Sequence, residues 1–194
     1  VVTGCMAQRY KNEIIEEVPE VDAVLGTTSY GDILKAIREA MEGKHFQEFK
    51  DIDYLPEKLG KRVLTTGGHF GYLKIAEGCD KHCTYCIIPK LRGKFRSVPM
   101  ERLVTQAKEM AEEGVKELIL VAQETTVYGT DIYGKKSLHI LLKELCKIKG
   151  IRWIRVLYCY PEEIYDELIQ TMKEEKKICH YLDLPIQHAS DRIL

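Results

Sequence analysis

The amino-terminal part of the chain alternates between the two-residue period of strands and the 3.6-residue period of helices. Short apolar runs at 1–3 and 21–25 indicate strands, and the residues between them repeat at helical spacing. A second helix is predicted to begin at a cap, Thr28 or Ser29, and to bury Ile33, Ile37 and Met41 along one face. We interpret residues 1–43 as the carboxyl-terminal part of an α/β domain.

The pattern is lost after residue 43 and returns in a more regular form. Residues 44–69 are rich in charge and glycine, and we interpret them as a linker. From residue 70 onward strands alternate with amphipathic helices, and the strands are predicted at 72–76, 117–122, 153–157 and 181–184. The helices between them are predicted to begin at Pro99, Ser137 and Pro161. This alternation favours a parallel sheet, with functional loops at the carboxyl ends of its strands.

Composition and charge narrow the class of protein. With 194 residues, 45% of them apolar, the chain can bury a core. A net charge of −1 provides no bulk attraction to nucleic acid or to a membrane. No signal pattern or membrane-spanning run is present, and the chain lacks an initiator Met, so we interpret it as a fragment. Seven cysteines, three of them within eight residues, indicate metal chemistry in a reducing compartment, and we expect a cytoplasmic protein with no membrane partner.

The cysteine cluster directly follows the first strand of the regular region. Cys79, Cys83 and Cys86 could hold three irons of a 4Fe-4S cluster and leave the fourth iron open for a ligand. Zinc is an alternative, with neighbouring His82 as a fourth ligand by type. A redox dithiol of the last two cysteines is another, but it leaves Cys79 without a role.

The spacing of the three cysteines after a strand, with Tyr85 before the last of them, resembles the signature of the radical S-adenosylmethionine superfamily. The resemblance implies a partial (β/α) barrel whose first four β/α units lie in 70–194. It also implies that the open iron binds S-adenosylmethionine and cleaves it to a radical that abstracts hydrogen from the substrate. Hard chemistry of this kind belongs to the cofactors, while the protein positions them.

Four further segments narrow the resemblance to the methylthiotransferases: 1–10 (VVTGCMAQRY), 78–93 (GCDKHCTYCIIPKLRG), 121–129 (VAQETTVYG) and 184–194 (LPIQHASDRIL). The match implies that 1–43 ends an amino-terminal methylthiotransferase domain, in which Cys5 is one of three ligands of a second 4Fe-4S cluster. Residues 158–161 (YCYP) and 187–190 resemble the branch that methylthiolates an aspartate of a small-subunit ribosomal protein. Transfer-RNA methylthiolation and a non-catalytic iron-sulfur or zinc module remain the alternatives, and the fragment alone is expected to be inactive.

The resemblance and the predicted strand ends together suggest cofactor contacts. We expect Tyr85 near the adenine, and Gln123, Glu124 and Gln187 at carboxyl strand ends near S-adenosylmethionine. An electron donor such as flavodoxin or ferredoxin is implied by the same family. The alternating basic residues at 90–96 could contact an anionic substrate or ribosomal RNA, or could form a solvated loop.

Overall fold

A computed structural model describes residues 1–55, 63–65 and 67–193. The chain divides into two compact units. The first comprises the described residues of Val1–Gly60 together with Gly78–Lys94, and the second comprises those of Lys61–Glu77 and Phe95–Leu194. The cysteine loop therefore groups with the amino-terminal segment, although our predicted boundaries had included it in the range 70–194.

The first unit is built on a three-stranded parallel sheet. Strands β1 (Val2–Thr3), β2 (Ala23–Leu25) and β3 (Phe46–Glu48) pair in that order, with Ala23 opposite Phe46. Helix α1 (Cys5–Glu17) connects the first two strands, and helix α2 (Ile33–Met41) follows the second. The predicted linker, 44–69, thus contains a strand near its start, because Phe46 packs on the small core of this unit while its charged neighbours conceal the pattern. Of the remaining part of the predicted linker, residues 56–62 and 66 lie outside the described residues.

Helix α2 faces the sheet differently from the prediction. Ala36 is fully buried and Ile33 packs beside it, whereas Ile37 is exposed and Met41 is 84% exposed. A small residue at the contact lets the helix approach the sheet closely, which turns the larger side chains outward. The predicted cap was also wrong, because the Ser29 hydroxyl accepts a bond from the Lys50 backbone N–H at 2.9 Å and makes no capping bond.

The second unit contains the sheet that the alternating pattern predicts. Strands β4 (Phe70–Lys74), β7 (Glu117–Val121), β8 (Trp153–Val156) and β9 (Ile178–Leu182) are parallel and lie in sequence order. The short strands β5 (Ala76–Glu77) and β6 (Arg96–Ser97) form a separate antiparallel pair, and residues 78–94 connect them along the chain. Helix α3 (Ile88–Arg92) lies within that connection. The last strand begins three residues before the predicted 181, because Ile178 pairs with Ile154 and is buried in the core.

Of the α-helices described in the second unit, the three longest were predicted and bury residues in its core, whereas the shortest was not predicted. The helices are α4 (Met100–Glu112), α5 (Thr130–Tyr133), α6 (Leu138–Cys146) and α7 (Asp166–Glu174). All four leucines of α6 are fully buried, and Leu103, Ala107 and Met110 of α4 are buried against the same core. The last helix begins later than the predicted Pro161, since a single 3-10 turn there is followed by extended backbone at Ile164 and Tyr165. Among the described residues, no helix has the length and apolarity required to cross a membrane.

Candidate functional site

The cysteine loop is closed at its base by a close backbone approach. Gly78 adopts φ +81°, and a Cβ placed on it would lie 2.6 Å from the Gly93 carbonyl oxygen and even closer to that of Lys94. The N–H of Cys79 donates to the Gly93 oxygen at 3.1 Å. Only glycine fits both the left-handed backbone and the contact, so the loop from 78 to 94 is pinned where the cysteines begin.

The three thiols lie on the described part of this loop at different depths. Cys79 and Cys83 are half-buried and Cys86 is exposed. A turn joins the last two, in which the Cys86 N–H donates to the Cys83 oxygen at 3.0 Å, and the N–H of Ile88 lies 3.5 Å from the Cys86 sulfur. The described residues contain no group of three or more His, Cys, Asp or Glu side chains that converge on a single metal ion. Three cysteine thiols on one short loop are a donor set of the type that a 4Fe-4S cluster takes, since each thiolate can bind a different iron.

Helix α3 anchors the end of the cysteine loop to the sheet of the first unit. The buried Thr27 hydroxyl donates to the Leu91 carbonyl at 2.9 Å, and the Thr27 N–H donates to the Gln8 side chain at 3.1 Å. One residue further along, Arg92 Nε donates to the sulfur of Cys5 at 3.2 Å. The first residue of α1 is therefore hydrogen-bonded to the loop that carries the other cysteines.

The remaining candidates are Tyr85, which faces solvent, and the basic stretch at 90–96, which is partly exposed. The side chain of Tyr85 is 72% exposed. In the basic stretch, Lys90 and Lys94 are exposed, Arg92 is half-buried and Phe95 is buried. The basic side chains thus reach the surface and the residues between them are buried, so contact with an anion and a solvated loop both stay predictions.

Polar residues in the second unit gather where the parallel strands end. Glu124 follows β7 and is only 4% exposed. Its Oε1 accepts bonds from the Thr126 N–H at 2.9 Å and the Tyr160 N–H at 3.3 Å, and from the Thr126 hydroxyl. Gln123 beside it is half-buried. The carboxylate thus joins the loops after β7 and β8, which are adjacent strands.

Tyr158 is the second residue after the end of β8. The sequence analysis did not predict it as a site residue. Its φ is +57°, a conformation that costs a bulky residue of the order of 1–2 kcal/mol. Its N–H donates to Asp183 Oδ2 at 3.0 Å, and its carbonyl accepts from the Thr125 N–H at 3.0 Å and the Thr125 hydroxyl at 3.1 Å. No glycine or asparagine marks this turn, so the sequence carried no signal for it.

The predicted contact Gln187 and two cysteines outside the cysteine loop differ in burial. Cys159 is fully buried, and burial raises the pKa of its thiol to about 11. Burial likewise raises the pKa of Cys146, on α6, to about 11. Gln187 lies beyond β9, is exposed, and donates from its side-chain amide to the Pro185 oxygen at 3.3 Å. Cys159 thus lies within the hydrophobic core, and the half-buried Cys146 packs against that core.

Comparison with known proteins adds to this geometry. The profile of the Radical SAM superfamily matches residues 73–194. A ribosomal protein uS12 methylthiotransferase RimO from Lachnoclostridium phytofermentans is 67% identical over the whole chain, which corresponds to 44% of that relative's length. A relative of the same name from Clostridium botulinum is 55% identical with the same coverage. The chain thus spans less than half the length of these curated relatives.

A solved structure supports the fold alone. The radical S-adenosylmethionine methyltransferase TsrM from Kitasatospora setae aligns with a TM-score of 0.52 at 16% identity, covering 66% of this chain and 23% of its own. The parallel sheets and this alignment confirm the predicted α/β class, and the family profile over 73–194 confirms the predicted superfamily.

Proposed function

The chain belongs to the radical SAM superfamily, and on that premise we propose that it is part of a methylthiotransferase acting on ribosomal protein uS12. The proposed reaction replaces a C–H bond by C–S–CH₃ at the β-carbon of an aspartate. The observation that carries the proposal is the 67% identity, over all 194 residues, to a relative whose name states this activity and substrate. A substrate of the ribosome implies action in the cytoplasm.

We propose that Cys79, Cys83 and Cys86 hold a 4Fe-4S cluster. When bound, the cluster and S-adenosylmethionine supply reductive cleavage and the radical that removes hydrogen from the substrate. The protein's own contribution begins with Gly78, whose close approach to the Gly93 backbone fixes the start of the ligand loop. Tyr85 on this loop stays a proposed cofactor contact. At the strand ends Gln123, Glu124 and Gln187 stay proposed contacts to S-adenosylmethionine.

Cys5 is the proposed ligand of a second 4Fe-4S cluster. The support is its bond to Arg92, which keeps the sulfur beside the loop that carries the other cysteines. In this proposal residues 1–43 end an amino-terminal methylthiotransferase domain, and 70–194 hold the first four β/α units of the barrel. An electron donor of the flavodoxin or ferredoxin type is part of the proposal.

The test is activity of the full-length, anaerobically reconstituted protein with reduced flavodoxin and uS12. We expect cleavage of S-adenosylmethionine and methylthiolated aspartate, identified by mass spectrometry of the digested substrate. Cys83→Ala should lose both activities, whereas Cys5→Ala should keep cleavage and lose methylthiolation. Cys179→Ala, at a half-buried thiol on β9, is the matched control and should keep both.

Each part of the proposal has its own contradicting result. Methylthiolated adenosine in transfer RNA, with unmodified uS12, would replace the substrate and keep the chemistry. One zinc per chain and no cleavage in the wild type would contradict the radical mechanism itself. Full methylthiolation by Cys5→Ala would contradict the role of the second cluster.

A further inference from the structure

The backbone around Tyr158, which follows β8, is held in place by residues that follow the two neighbouring strands, β7 and β9. Thr125 follows β7, Tyr158 follows β8, and Asp183 follows β9. Besides the bonds to Tyr158 itself, the Thr125 hydroxyl donates to the Leu157 oxygen at 2.8 Å, and the Cys159 N–H donates to the Asp183 oxygen at 2.9 Å. The positive φ is therefore over-determined by its surroundings, which is how strained residues persist at functional sites.

Burial does not account for a tyrosine at this position. Tyr158 is 52% exposed. Thr125, which is hydrogen-bonded to it, and Cys159, which follows it in sequence, are fully buried. A glycine would adopt the same backbone without strain and would keep every one of the main-chain bonds. A tyrosine at this position therefore adds backbone strain to the folded state, and the burial of its half-exposed ring does not explain why that strain is kept.

The location indicates what the ring contacts. In parallel α/β sheets, ligands bind beyond the carboxyl ends of the strands, and Tyr158 lies at that edge of three adjacent strands. A half-exposed aromatic ring on a fixed backbone offers a face on which a nucleobase can stack. Resting on the proposed function, we infer that Tyr158 contacts the adenosyl group of S-adenosylmethionine and that the Thr125–Tyr158–Asp183 arrangement serves to present its ring.

The experiment measures stability and cofactor affinity together in the full-length, reconstituted protein. Tyr158→Gly should unfold at a temperature no lower than the wild type, and its dissociation constant for S-adenosylmethionine should rise about tenfold. Tyr158→Phe, which keeps the ring, should stay within about twofold of the wild type by the same reasoning. Tyr181→Gly is the matched control: it removes an equally exposed tyrosine from strand β9, and should lower the unfolding temperature while leaving affinity unchanged.

The outcomes separate this inference from the proposed function. If the wild type binds and cleaves S-adenosylmethionine but Tyr158→Gly binds it with unchanged affinity, the inference is overturned and the function stands. A lower unfolding temperature for Tyr158→Gly with unchanged affinity would mean that the ring packs against another part of the protein, which also overturns it. If the wild type fails to bind S-adenosylmethionine at all, both are refuted.

Discussion

Replacing Gly78 by alanine should open the base of the cysteine loop. Two costs combine in this variant: the left-handed backbone at φ +81° costs a residue with a Cβ about 1–2 kcal/mol, and overpacking costs about 1–3 kcal/mol. The new methyl group meets main-chain carbonyl oxygens of Gly93 and Lys94, which cannot rotate away as a side chain could. We therefore expect the closed loop to lose about 2–5 kcal/mol relative to its open form.

The assay is hydrogen exchange at the Cys79 amide, which donates to the Gly93 oxygen in the closed loop. A loss of 2 kcal/mol or more should speed its exchange about 30-fold or more. The same variant should retain less iron after anaerobic reconstitution, because the loop no longer presents its cysteines in one arrangement.

Gly43→Ala is the matched control for the contact. Gly43 also has a positive φ, +72°, but nothing lies within 4 Å of a Cβ placed on it. This variant should lose only the backbone cost of about 1–2 kcal/mol in urea unfolding and should bind iron normally. Unchanged exchange at Cys79 in Gly78→Ala, or equal iron loss in both variants, would refute the argument from the close approach.

The other predictions concern buried polar and thiol groups. Thr27→Val leaves the Leu91 carbonyl without its donor and should lower the free energy of unfolding by about 1–2 kcal/mol; no change in urea unfolding would contradict this. Glu124→Ala leaves the Thr126 N–H without its acceptor, while the Tyr160 N–H keeps the Thr126 hydroxyl oxygen at 3.3 Å, and should cost about 1–3 kcal/mol. Glu124→Gln, which keeps an acceptor oxygen, should cost less than about 1 kcal/mol; equal losses would show that the acceptor is not the cause. Burial raises the pKa of the Cys159 thiol to about 11, so iodoacetamide at pH 8 should label Cys86 at least about tenfold faster than Cys159, as read by mass spectrometry. The free energy of unfolding should also fall between about pH 9 and 11, because in that range the Cys159 thiol has lost its proton in the unfolded chain and keeps it in the folded one.

The pattern of the sequence predicted the four parallel strands and the three longer α-helices of the second unit, but not the pair β5 and β6 or helix α5. Its longer helices bury continuous apolar stripes, as α6 does with four leucines, Leu138, Leu141, Leu142 and Leu145. A stripe of this kind determines which side of the helix faces the core. Periodicity of this strength is a local property, so it needs no knowledge of the neighbouring elements. The cysteine spacing is local as well, and it identified the superfamily before any geometry was known.

Pattern alone failed where a short element depends on its partner. The strand at Phe46–Glu48 has only three residues, and its pairing with β2 makes it a strand. The inward face of α2 was decided by Ala36, whose small side chain permits a close approach that the larger Ile37 and Met41 would prevent. Ile33 of the predicted face does pack on this core, but Ile37 and Met41 are exposed, so the buried face is rotated from the predicted one.

The sequence by itself determined the superfamily and predicted which residues carry the chemistry, because the type and spacing of metal ligands are local features of the chain. Only the tertiary structure decided how those residues are held. Gly78 approaches the backbone of Gly93, and Arg92 bonds to Cys5. The left-handed backbone of Tyr158 is held by bonds to Thr125 and Asp183. Each of these contacts joins residues far apart in sequence. Contacts of that range arise from packing, and no periodicity along the chain encodes them.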